Sequence, residues 1–142
     1  MGPFNQNDYE LVHNVPGPIK VGRSFYDYRG SLWFDASMIQ VDADGNKYVD
    51  PGLIIAKAVV ATDETYGDTY AFVPYDPDGE YGTGSDTPYG ILDIRLNATL
   101  GSEAVAALYH GQVLQRNCYV LGDAKGVISG TVKTALPDID WV

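Results

Sequence analysis

The chain has 142 residues, enough for one domain or one domain with an arm. Its 9 basic and 19 acidic residues leave a net charge of −10, which argues against phosphate-backbone binding and against anionic membrane surfaces. The lone Cys118 excludes an internal disulfide or a cysteine-based metal cluster, and no apolar run reaches the ~18 residues of a membrane-spanning helix.

Composition points to class. Hydrophobic residues make up 45%, too many for a disordered chain. The 16 Gly, 8 Pro and 11 Tyr, with few Leu-Ala-Glu-Lys stretches, predict a mostly β fold rich in turns.

Residues 1–18 read as an arm, because Pro3, Pro16, Pro18, Gly2 and Gly17 interrupt any regular element. The arm nevertheless carries Phe4, Tyr9, Leu11, Val12 and Val15. A purely solvated tail needs no such side chains, so they serve either to dock on a partner or to fold back on the domain. The opening residues have neither a basic n-region nor an apolar h-region, so no signal peptide is expected. Gly2 follows Met1, but Gln6 stands where the myristoylation pattern requires Ser or Thr.

The domain is expected over residues 19–142. Leu32-Trp33-Phe34 and Met38-Ile39-Gln40-Val41 predict strands, and the polar turn Asp42-Ala43-Asp44-Gly45-Asn46 predicts a hairpin into Lys47-Tyr48-Val49. Pro51-Gly52 marks a second turn. Leu53 to Ala61 is apolar at nearly every position, the pattern of a strand buried on both faces. Residues 61–88 hold Asp63, Glu64, Asp68, Asp76, Asp78, Glu80 and Asp86 with no Lys or Arg. They predict a long acidic loop, with Phe72-Val73 as a short strand inside it. The tyrosines at 66, 70, 75, 81 and 89 favour a packed or docking loop over a free one. Ile91 to Leu96 predicts a strand, and Glu103 to Tyr109 fits either a short helix or a strand before a break at Gly111. Val113–Leu121 and Gly126–Ala135 predict two further strands, and the terminal Trp141 is expected to dock.

Catalytic patterns are weak. No G-x-S-x-G occurs, and Gly82-Thr83-Gly84-Ser85-Asp86 lacks a strand-to-helix setting. Cys118 and His110 make a dyad only if the fold joins them, and a buried core thiol is the simpler reading. His13 and His110 form no zinc motif. Asp42-Ala43-Asp44-Gly45-Asn46 and Asp76-Pro77-Asp78-Gly79-Glu80 are fragments of calcium loops, equally explained by Asp and Asn bonding their own backbone. A glycosidase-type carboxylate pair in 61–88 would need a cleft and one raised pKa. The glycines at 79, 82 and 84 sit among acids without a Lys, so they would repel phosphate. No cofactor, no metal and no enzymatic activity are expected.

Three stretches carry a resemblance when taken in order: Lys47-Tyr48-Val49-Asp50-Pro51-Gly52-Leu53-Ile54-Ile55-Ala56, then Pro88-Tyr89-Gly90-Ile91-Leu92-Asp93, then Ala104 to Leu114 with His110-Gly111-Gln112-Val113. The set resembles the head decoration, or capsid cement, proteins of tailed bacteriophages over residues 19–135. The resemblance implies a small β-tulip or barrel-like domain with one or two short helices and an extended N-terminal arm. It implies homotrimers on the outer surface of the expanded virion head, stabilising the shell against internal DNA pressure. It implies contact with the major capsid protein through the arm, here Phe4 to Val15, and no catalytic residues. Gly90 and Gly111 match the family's glycines as tight backbone positions. The acidic stretch 61–88 is longer than in compact members. The alternative from the residues themselves is a small extracellular-type binding module, for carbohydrate through Tyr and Trp or dependent on calcium at an Asp-rich loop.

Overall fold

The computed structural model describes residues 19–20, 25–99, 101 and 103–142. Phe4, Tyr9, Leu11, Val12, Val15 and His13 lie outside the described residues. Strand accounts for 43% and helix for 8%, so the protein is mostly β, with one short helix and a curled half-barrel sheet.

The strands are β1 (Asp27–Trp33), β2 (Tyr48–Val49), β3 (Ile54–Asp63), β4 (Gly67–Pro74), β5 (Pro88–Ile91), β6 (Leu96–Asn97), β7 (Ala104–Val113) and β8 (Ile139–Trp141). The helix α1 spans Gly130–Ala135. The main sheet runs β1-β7-β5-β3-β4, antiparallel throughout, and β8 joins β7 in parallel. A small second sheet pairs β2 with β6. At one end the sheet curls far enough for its edges to meet. Phe34, just past β1, bridges Phe72 of β4, and Asp35 N donates to Phe72 O at 2.8 Å.

Both faces of the sheet are covered, which is why β3 is apolar on both sides. Ile54, Ala56 and Ala58 face one core with Ile91, Leu108, Val113, Cys118, Val132 and Leu136. Leu53 and Ile55 face the other with Phe34, Phe72, Leu92, Leu96 and Ala107. Each fully buried Ile or Leu contributes about 1.5–3 kcal/mol, so the strand is fixed by tertiary burial.

Several elements depart from expectation. Residues 61–74 are no loop: β3 and β4 form a long hairpin. Asp63 Oδ1 accepts from Thr65 N and Tyr66 N at 2.7 and 2.8 Å, and Gly67 then takes φ +81°. An Asp that closes its own turn, followed by a left-handed Gly, is a three-residue hairpin loop. Only the stretch after Pro74 is a loop, and it is packed: Val59 N donates to Thr83 O, and Ser85 is fully buried. Residues 38–41 form no strand. The turn at Asp42–Asn46 closes as expected, but β2 pairs with β6 instead. Ile91–Leu96 splits into β5 and β6. Glu103 to Tyr109 resolves as strand, and β7 runs through Gly111 without a break.

Val113–Leu121 is not one strand, because a 3-10 turn at Gln115–Asn117 redirects the chain. Tyr119 then lies parallel to Leu53, with Tyr119 N donating to Gly52 O and Ile54 N to Tyr119 O, both at 2.9 Å. Gly126–Ala135 is not a strand either. The Ser129 hydroxyl accepts from Val132 N as an N-cap, and Val132 and Leu136, four apart, are buried together on one helical face. Trp141 docks as expected, half-buried against the first core.

Gly52 is the tightest crossing in the fold. It has φ +100°, and a Cβ there would overlap the Asn117 carbonyl oxygen. Gly45 has φ +79° but open space around it. Gly52→Ala is therefore expected to lose about 3 kcal/mol, near 10 °C in Tm, and Gly45→Ala only about 1 kcal/mol. Thermal melts of the two variants check the difference.

Candidate functional site

One face of the sheet carries the buried Phe72 ring. Around that ring the same face presents Arg29, Lys57, Tyr70, Tyr89 and Tyr109, with Lys57 directly opposite Phe72 in the β3–β4 register. Strand geometry sets this up, because alternate residues share a face. Lys57 follows Ile55 on β3, Tyr70 precedes Phe72 on β4, and Tyr109 follows Ala107 on β7. Arg29 sits opposite Ala107 in the β1–β7 register. Next to Arg29 the register shifts at Gly30, where a Cβ would come within 2.9 Å of the Phe72 ring. That ring therefore rests against bare backbone and forms the floor of the layer.

The cations and rings alternate. The Arg29 guanidinium carbon lies 4.1 Å from the Tyr89 ring centre and 4.9 Å from that of Tyr109. Arg29 Nε and Nη2 both donate to Tyr89 O, at 3.0 and 2.6 Å. Lys57 Nζ lies 4.7 Å from the Tyr70 centre and 5.9 Å from that of Tyr89. Tyr89 also tilts against Phe72 at 5.6 Å. Each such contact is worth about 0.5–1 kcal/mol at an exposed site. Their combined effect is to hold two long cationic side chains in place before any ligand arrives.

Among the described residues, neither cation has a carboxylate partner. Among the described residues, Lys20 pairs with Asp93 at 3.4 Å, and Arg95 and Lys125 pair with Asp50 at 3.7 and 3.6 Å. Arg29 and Lys57 form no ion pair with any described residue. In a chain of net charge −10, they make a fixed positive spot suited to an anionic group.

The residues singled out from sequence do not converge. His110 lies in β7, not at a turn, and its Nδ1 meets Asp27 Oδ2 across the β1–β7 pair at 2.7 Å. Cys118 is fully buried, and its thiol donates to Leu114 O at 3.5 Å. Asp42 Oδ1 accepts from Asp44 N and Asn46 N, and Asp76 accepts from Asp78 N and Glu80 N. Both acidic turns therefore use carboxylate oxygens to bond their own backbone. No group of three His, Cys, Asp or Glu among the described residues is arranged to hold a metal ion. Gly90 and Gly111 are tight positions, as the resemblance implies. A Cβ on Gly90 would come within 2.6 Å of Ala107 Cβ, and one on Gly111 would overlap the Tyr26 ring. The Tyr–cation layer was missed in sequence because its members are scattered over five strands. The available signal was Lys57, a lone charge inside an apolar strand.

No family model matches the chain, and no curated protein and no solved structure is significantly similar to it.

Burial pushes the Cys118 thiol up to about 12 from an ordinary 9.0, and burial also raises the Tyr119 hydroxyl. The unfolded chain thus releases these protons first. Stability is intact below about pH 9 and falls as pH rises toward 12. In Cys118→Ala the alkaline slope should flatten by ~1.4 kcal/mol per pH unit, read from urea unfolding midpoints between pH 8 and 11. The native thiol should resist labelling at pH 8 until denaturant is added.

Proposed function

We propose that this chain is a structural capsid decoration protein, binding the outside of an expanded tailed-phage head as trimers and stabilising the shell against internal DNA pressure. The observation that carries the reading is the ordered set of sequence stretches that resembles that family. In the fold those stretches contribute β2, the first residues of β3, and the whole of β5 and β7, and β3, β5 and β7 are successive neighbours at the centre of one sheet. A resemblance scattered over unrelated loops would carry less weight.

The physical setting supports the same role. The segment 1–18 joins the domain at Ile19, whose carbonyl accepts from Leu114 N at 2.7 Å, and Lys20 pairs with Val113 at the end of β7. An extended arm can add a strand to an open sheet edge on a shell, and Phe4, Tyr9, Leu11, Val12 and Val15 would offset its ordering cost. Several arms joined in one oligomer raise effective concentration and convert weak contacts into firm attachment. The partner is the major capsid protein, and the acidic surface keeps a crowded particle soluble.

The rival, a small carbohydrate- or calcium-binding module, has less support. The Tyr89 ring is flanked by Arg29 and Lys57, which leaves it less available to a sugar ring. The acidic loops use their carboxylates on backbone amides.

Cosedimentation with tailed-phage heads that lack decoration tests the proposal. Saturable binding to expanded shells, absent from unexpanded ones, is expected. Removing residues 1–15 should leave the melting temperature within about 2 °C of the full chain, an effect near the ±0.5 kcal/mol of neutral surface changes, while abolishing cosedimentation. Full occupancy by the truncated chain would overturn the arm's role.

A further inference from the structure

The β3–β4 hairpin runs on past the body of the sheet. Every residue from Ala61 to Tyr70 is exposed, and Tyr66 at the tip is 90% exposed. This finger carries Asp63, Glu64 and Asp68 and no cation. A two-stranded ribbon without cover gains little burial to hold it in shape, and a tip tyrosine left in water gains none of the area that makes tyrosine useful at interfaces. At the root of the same hairpin lies the layer of Arg29 and Lys57 among tyrosines, two held cations with no carboxylate partner among the described residues.

The two surfaces are complementary in charge, and the exposed Tyr66 ring of the finger matches the tyrosine rings of the layer. We infer that the finger of one copy docks on the Arg29–Lys57 layer of a second copy of this chain. Glu64 and Asp68 supply the anions, and Tyr66 covers apolar ring surface. An acidic segment of another protein would satisfy the cations but leave the finger bare. A second copy satisfies both. Because the two surfaces differ, the contact is head-to-tail, and it closes into a ring where the rotation between copies allows. The inference rests on the proposed decoration role only for the number of copies, and its test needs no shell, so either can fail alone.

Sedimentation equilibrium of the full chain over a wide concentration range, at low and high salt, reads the contact. Association that weakens with salt is expected. Lys57→Glu should weaken it by about tenfold or more, and so should Glu64→Lys with Asp68→Lys. Each variant alone should stay monomeric where the parent associates, and an equimolar mixture of the two should regain association. Lys57→Gln is the milder substitute should Lys57→Glu melt early. Hydroxyl-radical footprinting should show Tyr66 protected at high concentration only. A parent chain that is monomeric throughout overturns the contact. So does association indifferent to both sets of substitutions. Association lost on removing residues 1–15 but kept when the finger charges are reversed also overturns it, and assigns the layer to the arm.

Discussion

Strand β7 is the element on which the rest of the fold leans. It pairs with β1, with β5 and in parallel with β8, and its last residue also takes Lys20 as a partner. These partners can crowd so closely only where side chains are absent. The Tyr26 ring lies on Gly111, and its hydroxyl donates to Gln112 O at 3.1 Å. On the β5 side, Gly90 lies against Ala107 and the Leu108 carbonyl. Two glycines and one alanine thus set how near the neighbours come. Once β7 is held, β5 positions β3, and β3 positions the finger.

The curl has an electrostatic consequence. Closing the sheet at Phe34 and Phe72 buries both rings, while Arg29 and Lys57 beside Phe72 stay half-buried. There they keep water on one side and ring faces on the other, a setting in which long cationic side chains cover apolar surface with their stems. Three acids, Asp42, Asp63 and Asp76, act locally as turn-closing acceptors. Charge on this protein is divided by position: some acids close turns, others such as Asp50 and Asp93 meet cations, and Arg29 and Lys57 lie against tyrosine rings.

The sequence was legible where burial dominates and misleading where turn chemistry does. The two-sided strand at Leu53–Ala61 was readable because no solvated face interrupts it, and the buried Cys118 and docked Trp141 follow from the same logic. The hairpin tip was misread because Asp63 and Glu64 were weighed as charges. Asp63 acts as a turn residue, and the left-handed Gly67 next to Tyr66 was the signal that went unused. Gly126–Ala135 looked like a strand because it holds Val127, Ile128 and Val132. Ser129 outweighs them by capping a helix, and the i, i+4 pair Val132 and Leu136 buries its one apolar face. The long strand expected at Val113–Leu121 failed for a tertiary reason. Val142 returns to pair with Gln115 and Val113, and the chain must turn to make room for Tyr119 beside β3. The Tyr–cation layer was not legible at all, since its five residues come together only through the order β1-β7-β5-β3-β4.

The attachment of Ile19 and Lys20 to the end of β7 determines how the domain bears mechanical load. Tension applied through residues 1–18 enters at Val113 and Leu114, where Ile19 and Lys20, the C-terminal Val142 and the end of β7 meet. Pulled along the axis of β7, the Ile19–Leu114 bond and the Lys20–Val113 bridge are loaded in shear, and the load passes to Trp141 of β8, which also pairs with Val113. Pulled across that axis, the bond and the bridge open one after the other. The domain is thus anisotropic, a firm anchor for a tether lying in line with the sheet and a weak one for a tether that peels away from it.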